Sequence, residues 1–292
     1  MRNLARLILT AILLLSLLLA AGTARAEVYY KKEPPADWAE KDIFKLTVFD
    51  VNEGDAMLLE CGGEIMMIDG GPDPHREKLK TALEERGYTH FKYFLSTHFH
   101  DDHINGLYHL MTYGFTADEF LHSYNDRAAV TNELHGRAIR QCEKSGIPTR
   151  KIDEGDVLTL GGATMNVHRH ADVDNANGRS LVLKLTFGES TVLFCADIIG
   201  VTQEYYTATL SPEELKADLL KVPHHGITAV NSDFLTAVDP AMAVVPNTAK
   251  NGAKAKRQLD RREIPTLYSG DGTVYFATDG TDWYMWQTKG KF

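Results

Sequence analysis

Apolar residues recur at two periods along this chain. They alternate in Phe44-Lys45-Leu46-Thr47-Val48 and gather into strand-length runs at Ala56 to Glu60, Ile65 to Ile68 and Phe91 to Ser96. Gly62-Gly63 between the second and third of these is a hairpin signal. From His75 to Arg86 the period lengthens: Leu79, Ala82 and Leu83 fall on one helical face, and Gly87 supplies the stop. Between Asn105 and Gly146 the pattern is mostly helical, with one short strand around Phe120-Leu121-His122.

The second half is dominated by strands. Asp156 to Leu160, Thr164 to His168, Ser180 to Phe187 and Thr191 to Ala196 are punctuated by Gly161-Gly162 and Gly188. Ser211 as a cap and Pro212 at the first position open a short helix. Asp218 to Val222 and Ala241 to Val245 read as two buried strands, and Val274 to Ala277 with Trp283 to Gln287 as a hairpin around Asp279-Gly280. Strands interrupted by helices in both halves predict a mixed α/β (α+β) chain, two sheets packed on one another with helices outside. No tandem repeat is visible, and no low-complexity tract lies outside the N-terminus.

The N-terminus stands apart. Met1 to Arg6 is short and basic, Leu7 to Ala21 is almost unbroken apolar sequence, and Ala24-Arg25-Ala26 has the small-x-small pattern of a cleavage site. Residues 1–26 are therefore expected to be a signal peptide, 27–42 an N-terminal linker around Pro34-Pro35, and 43–292 one domain. The alternative, an uncleaved anchor, is weakened by an apolar core short for a bilayer crossing. No Cys follows the cleavage site to hold a lipid, and no second apolar run approaches membrane-spanning length, so stable membrane insertion is not expected after cleavage. The protein is expected to be secreted or periplasmic in a bacterium. Loss of the leader's three arginines moves the net charge from −9 to −12, which favours solubility and disfavours indiscriminate binding to polyanions. Three cysteines, Cys61, Cys142 and Cys195, are too few for a disulfide framework; Cys61 and Cys195 sit in strand-like runs as core thiols.

The chemistry concentrates in Thr97-His98-Phe99-His100-Asp101-Asp102-His103, directly after the apolar run 91–96. A strand therefore opens into a loop carrying three imidazoles and two carboxylates. Two residues apart on extended chain, His98 and His100 project to one side and can reach one cation. A turn at Asp101 would aim Asp102 and His103 at a second, adjacent position. Imidazole and carboxylate donors suit zinc, with manganese or iron as alternatives. A solvated His-rich loop is the competing explanation, but such a loop rarely shows H-x-H-x-D-H straight after a strand. Farther on, Asp197 closes the run 191–196 and His224-His225-Gly226 ends the run 219–223. Taken alone, Asp197 is as readily a helix cap or turn residue, and the His pair a plain turn.

His98-x-His100-x-Asp102-His103 resembles the signature of the metallo-β-lactamase superfamily. Phe49-Asp50-Val51-Asn52-Glu53-Gly54-Asp55-Ala56 resembles the "DVGQGDA" opening of its ComEC-like branch, with Asn52 and Glu53 departing from it. Ile68-Asp69-Gly70-Gly71, Asn177-Gly178-Arg179-Ser180, Asp197 and Pro223-His224-His225-Gly226 follow in the branch's order. The resemblance implies a single αββα sandwich whose two divalent ions are held by His98, His100, Asp102, His103, Asp197 and His225, with Asp197 bridging. His224 is implied as a second ligand, or as proton donor and substrate contact. Asp69 is implied to steady a ligating imidazole from behind, and Asp55 to do the same or to order the first hairpin. Asn177 and Ser180 are implied as further support around the ligands. Many members of the superfamily carry another His just before the equivalent of Ser180. Here Asp174-Asn175-Ala176-Asn177 has none, as in the ComEC-like branch, and the first ion is left a ligand short. His168 and His170 are candidates to fill that place, or are simply exposed strand histidines.

Two adjacent divalent ions would hold a shared water as hydroxide near neutral pH and neutralise charge on the attacked group, so hydrolysis is the expected reaction. Asp102 would orient the nucleophile and His224 would protonate the leaving group. The branch includes domains implicated in degrading a DNA strand and exported phosphodiesterases acting on cell-surface phosphocholine. Lys250, Lys254, Lys256, Arg257, Arg261 and Arg262 form a basic run that would suit a phosphodiester polymer, although a solvated helix face is its commoner explanation. The expected function is an exported dinuclear phosphoesterase or phosphodiesterase, with nucleic acid as one substrate. Hydrolysis of an amide or ester such as a β-lactam or lactone, and non-catalytic metal binding outside the cell, are the alternatives.

Overall fold

The computed structural model describes residues 26–125 and 127–289, so the expected signal peptide, residues 1–26, lies outside the described residues except for Ala26. In chain order the strands are β1 Val28–Tyr30, β2 Phe44–Val48, β3 Ala56–Cys61, β4 Glu64–Gly70, β5 His90–Leu95, β6 Thr116–His122, β7 Thr149–Lys151 and β8 Val157–Leu160. They continue as β9 Ala163–His168, β10 Val182–Phe187, β11 Ser190–Phe194, β12 Leu219–Lys221, β13 Met242–Val245, β14 Thr266–Tyr268, β15 Thr273–Thr278 and β16 Trp283–Thr288. The α-helices are α1 Arg76–Glu85, α2 Asp101–Thr112, α3 Leu134–Ser145, α4 Gly200–Thr209, α5 Pro212–Leu215, α6 Ser232–Val238 and α7 Ala253–Arg261.

Two sheets result, in the orders β1-β16-β15-β2-β3-β4-β5-β6-β7 and β14-β13-β12-β11-β10-β9-β8. Strands with an unbroken apolar run are those covered on both faces. In β3 and β4, Met57, Leu59, Met66 and Ile68 enter the layer between the sheets, while Leu58 and Met67 face α1 and α2. In β11, Val192 and Phe194 face the other sheet, and Leu193 packs with Tyr206 and Phe234 of the helices beyond. The order helix, sheet, sheet, helix is the expected αββα sandwich. Gly62 and Gly63 both take positive φ in the β3–β4 hairpin, as a tight primed turn demands. Ser211 and Glu214 close a reciprocal capping box on α5.

Several elements differ from expectation. Residues 27–42 are not a linker: β1 pairs in parallel with β16, and Trp38 is buried with its ring 4.8 Å from that of Tyr284. Three paired residues carry too little pattern to announce a strand. β6 is longer than the short strand expected, because Asp118 and Glu119 interrupt its apolar signal while β5 supplies its hydrogen bonds. The loop expected after β5 is short, since α2 begins at Asp101 with His100 as its extended N-cap residue. The three cysteines are buried free thiols. Among the described residues, no helix is long and apolar enough to cross a membrane.

One feature of the topology places the site. β4, β5 and β6 are mutually parallel, as are β11, β12 and β13, so each set delivers its chain ends to one edge. Phe194 pairs with Lys221, and Asp197 and His224 each follow three residues later. Register alone therefore brings those two loops abreast.

Candidate metal centre

All six residues expected to hold metal converge at this edge. At one end, His98 Nε2 faces His100 Nδ1 at 3.1 Å. At the other, His103 Nε2 lies 3.2 Å from His225 Nε2, and Asp102 Oδ2 is 3.1 Å from His225 and 3.7 Å from His103. Asp197 sits between the two. Its Oδ1 is 3.4 Å from His103 Nε2, and its Oδ2 is 3.2 Å from His225 and 3.9 Å from both His98 and His224. His98, His103, Asp197 and His225 are buried, while Asp102 keeps about a third of its side chain exposed, at 34%.

Local sequence explains how each donor is aimed. Asp102 and His103 lie on the first turn of α2, one helical step beyond His100. That turn is pressed onto β4 because Gly106 meets Gly70 directly: a Cβ on Gly106 would stand 1.8 Å from the Gly70 carbonyl oxygen. Asp69, Ala196, His224 and His225 all take positive φ, which costs non-glycine residues roughly 1–3 kcal/mol each and persists only where the surroundings enforce it. At Ala196 the enforcement is visible. Its carbonyl accepts bonds from Lys221 Nζ at 2.7 Å and from the His224 amide at 3.0 Å.

A second ring of polar groups stands behind the donors. Asp69 Oδ2 is 2.8 Å from His103 Nδ1, and Thr97 donates to both Asp69 oxygens, from its amide at 2.9 Å and its hydroxyl at 2.6 Å. Such a carboxylate fixes the tautomer that presents Nε2 forward. Asp55 plays the corresponding part for His225, with Oδ1 3.3 Å from Nδ1. Asp55, His103, Asp197 and His225 each place a donor atom within 4.8 Å of the others. Asp55 nevertheless approaches His225 from behind, and its other oxygen is 2.5 Å from Lys221 Nζ. It is a supporting group rather than a fifth donor at the front.

Lys221 and Thr97 were not singled out from sequence. The signal for Lys221 was present: an ammonium inside the apolar run Leu219-Leu220-Lys221-Val222 needs a buried acid. The other assignments vary. Asn177 Nδ2 touches His224 Nε2 at 3.2 Å, leaving its buried Oδ1 without a partner among the described residues. Ser180 is buried and its hydroxyl makes no hydrogen bond among the described residues. His168 is not an exposed strand residue; it is buried and bonded to Glu154 at 3.1 Å, while His170 stacks on Tyr205 at 3.8 Å. Neither fills the place beside His98. The basic run is largely a solvated face of α7: Lys256 pairs with Asp260 at 2.7 Å, and Arg262 bonds Ser232 and Thr236.

The donor set fits divalent cations. Two nitrogens about 2.1 Å from one tetrahedral ion stand roughly 3.4 Å apart, and the separations above, 3.1 to 3.9 Å, bracket that value. Imidazole nitrogens facing one another at 3.1 to 3.2 Å can share a proton or a cation, and Asp197 Oδ1 has no hydrogen-bond partner among the described residues. The electrostatics agree. Burial disfavours a charged His103, yet Asp197 and Asp69 outweigh it and raise the ring to about 10. His225 is raised well above its ordinary value despite burial, by Asp197 and Asp102. Burial also opposes charge on Asp197, but His225 and His103 hold it well below the carboxylate range. His98 goes the other way, lowered by burial and then by His103. The acids at the His103 end therefore call for positive charge, which a metal ion would supply.

Comparison with known proteins matches a family description, the Metallo-beta-lactamase superfamily, to residues 50–245, a span containing every donor named above. The chain is 23% identical over 260 residues to ComE operon protein 3 of Bacillus subtilis (strain 168), covering 80% of this chain and 33% of that protein. It is 23% identical over 280 residues to YcaI of Escherichia coli (strain K12), covering 89% of this chain and 33% of that protein. The chain thus spans about a third of the length of the curated relatives it matches. The fold is shared with CmlA, a diiron β-hydroxylase from Streptomyces venezuelae, at a TM-score of 0.54 and 12% identity, over 85% of this chain and 55% of that one. With the two-sheet sandwich, the clustered donors and the matched span all in agreement, the chain belongs to the metallo-β-lactamase superfamily.

Proposed function

We propose that the protein is an exported, dinuclear metal-dependent phosphodiesterase. The observation that carries this reading is the convergence of His98, His100, Asp102, His103, Asp197 and His225 into two adjoining donor groups that share Asp197. His98, His100 and Asp197 would hold one ion; Asp102, His103, Asp197 and His225 would hold the other, with zinc favoured by the imidazole-rich set and manganese or iron as alternatives. When bound, the two ions supply Lewis acidity and an activated water.

The chain's own residues do the rest. Asp102, the most exposed donor carboxylate, is kept ionised: burial opposes this, but His225 and His103 hold it below the usual range. It can accept a proton from an attacking water. His224 is half-buried at the mouth, and burial lowers it below its ordinary value, so near neutral pH it is a neutral ring; its Nε2 faces the Asn177 amide here and, in the tautomer that carries the proton on Nε2, would donate a hydrogen bond to a leaving oxygen in place of that contact. Asn177, beside His224, occupies the neighbourhood in which many members of the superfamily place another imidazole. A first position with fewer donors leaves room for a phosphoryl oxygen, which favours phosphoesters over β-lactams or lactones. Export rests on the leader-like residues 1–26.

The test is turnover of bis(p-nitrophenyl) phosphate by the purified protein with added zinc or manganese. Wild-type protein should hydrolyse it, and His100→Ala should lose roughly a thousandfold or more while still folding. Absence of metal-dependent turnover, or faster hydrolysis of a β-lactam, overturns the reading.

A further inference from the structure

A cavity of about 310 Å³ opens beside the His98 end of the cluster. His98 forms part of its wall, with Phe99, Asn125, Lys151, Arg169 and Arg179 around it, and none of the described residues lining it is acidic. Arg169 is committed: Nη1 is 3.0 Å from Asp153 Oδ2, and Nε donates to the Arg179 carbonyl at 3.3 Å. Arg179 is not. The residue is half-buried and its guanidinium has no carboxylate, carbonyl or hydroxyl partner among the described residues, while its backbone is pinned by Arg169 and by the turn from Asn175. A planar fork of donors, unpaired on a pinned backbone at the wall of a cavity, suits an oxyanion. Phe99, 39% exposed at the same wall, offers a flat apolar face beside it.

We propose that this cavity is a subsite for a second, non-scissile phosphate of the substrate, clamped by Arg179. The preferred substrate is then a phosphodiester carrying another phosphate on the adjoining unit, not a diester with two neutral arms. A volume near the lower end for ligand pockets suits one phosphorylated unit. This inference deepens the phosphodiesterase reading and rests on it.

The test compares dithymidine monophosphate with the same dinucleotide phosphorylated at its 5′ end or at its 3′ end, in wild type, Arg179→Met and Arg179→Lys. Wild type should prefer one phosphorylated form by about tenfold or more in kcat/KM, mainly through KM, as a charge-assisted bond to phosphate would give. Arg179→Met should bring that ratio to within about twofold, and Arg179→Lys should keep part of it. A ratio that survives in Arg179→Met, or no preference for either form in wild type, overturns the subsite. If wild type cleaves none of the three, the phosphodiesterase reading fails and the subsite is judged by calorimetry in the His100→Ala protein. Tighter binding of a phosphorylated dinucleotide there, lost when Arg179→Met is added, upholds it; equal binding of all three overturns it.

Discussion

The two ends of the donor cluster are built to different standards. At the His103 end, each imidazole is buried and steadied from behind: His103 by Asp69, which Thr97 holds with two bonds, and His225 by Asp55, which Lys221 neutralises. At the His98 end, His100 is half-exposed, its ring is steadied by no carboxylate among the described residues, and His98 has only the Thr97 hydroxyl behind it, at 3.2 Å. The first end is embedded in the fold, so its geometry is set before any ion arrives. The second borders the Arg179 cavity and leaves space for a ligand. Under the proposed function, the first would be a structural anchor and the second the place where substrate binds, although both would share Asp197.

The largest difference should appear on comparing His103→Ala with His100→Ala. Removing His103 leaves Asp69 buried with only its Thr97 bonds, a loss of the kind that costs about 3–5 kcal/mol, and should abolish turnover as well. His100→Ala should abolish turnover while moving the melting temperature little. Thermal unfolding of the two variants side by side decides it: equal destabilisation would mean that the ends do not differ.

A smaller effect sharpens the role of the buried pair. Lys221→Met should destabilise by about 3 kcal/mol, because the Asp55 carboxylate loses its counter-charge in a dry setting. Adding Asp55→Asn should recover part of that loss, giving a measurable coupling in denaturant unfolding of the single and double variants. Strict additivity would show that the pair is incidental.

A third effect is one of pH. His103 is raised to about 10 in the fold, above its ordinary 6.5, so its protonated form stabilises the metal-free protein fully below 6.5. That contribution is lost as the pH rises through 10. The chelator-treated protein should therefore melt at falling temperatures from pH 6.5 to 10, and the gain from added zinc should grow over the same interval, because the ion replaces the proton. A zinc-dependent gain that is flat with pH would contradict the electrostatic account of this end.

Much of the site was legible because its signals are local. H-x-H-x-D-H compresses four donors into one turn after a strand, and that spacing carries its own geometry. Paired glycines, the Ser211 cap and the apolar runs likewise report on neighbours a few residues away. Three kinds of feature were not legible. β1 is an edge strand made by β16, at the far end of the chain. Gly106 matters only because Gly70 lies beneath it. Lys221 and Asp55 find each other across the two sheets.

By itself, the amino-acid sequence marked most of the strands and helices and the two-sheet class through periodicity, and the H-x-H-x-D-H loop through side-chain type; Asp197 and His225 were implied as partners of that loop only by the family resemblance. Only the tertiary structure decided that one donor group is backed by buried acids and a lysine while the other adjoins a cavity with an unpaired arginine. Hydrophobic period shows which face a residue takes; which residue lies opposite is set by strand register and by the approach of one backbone to another.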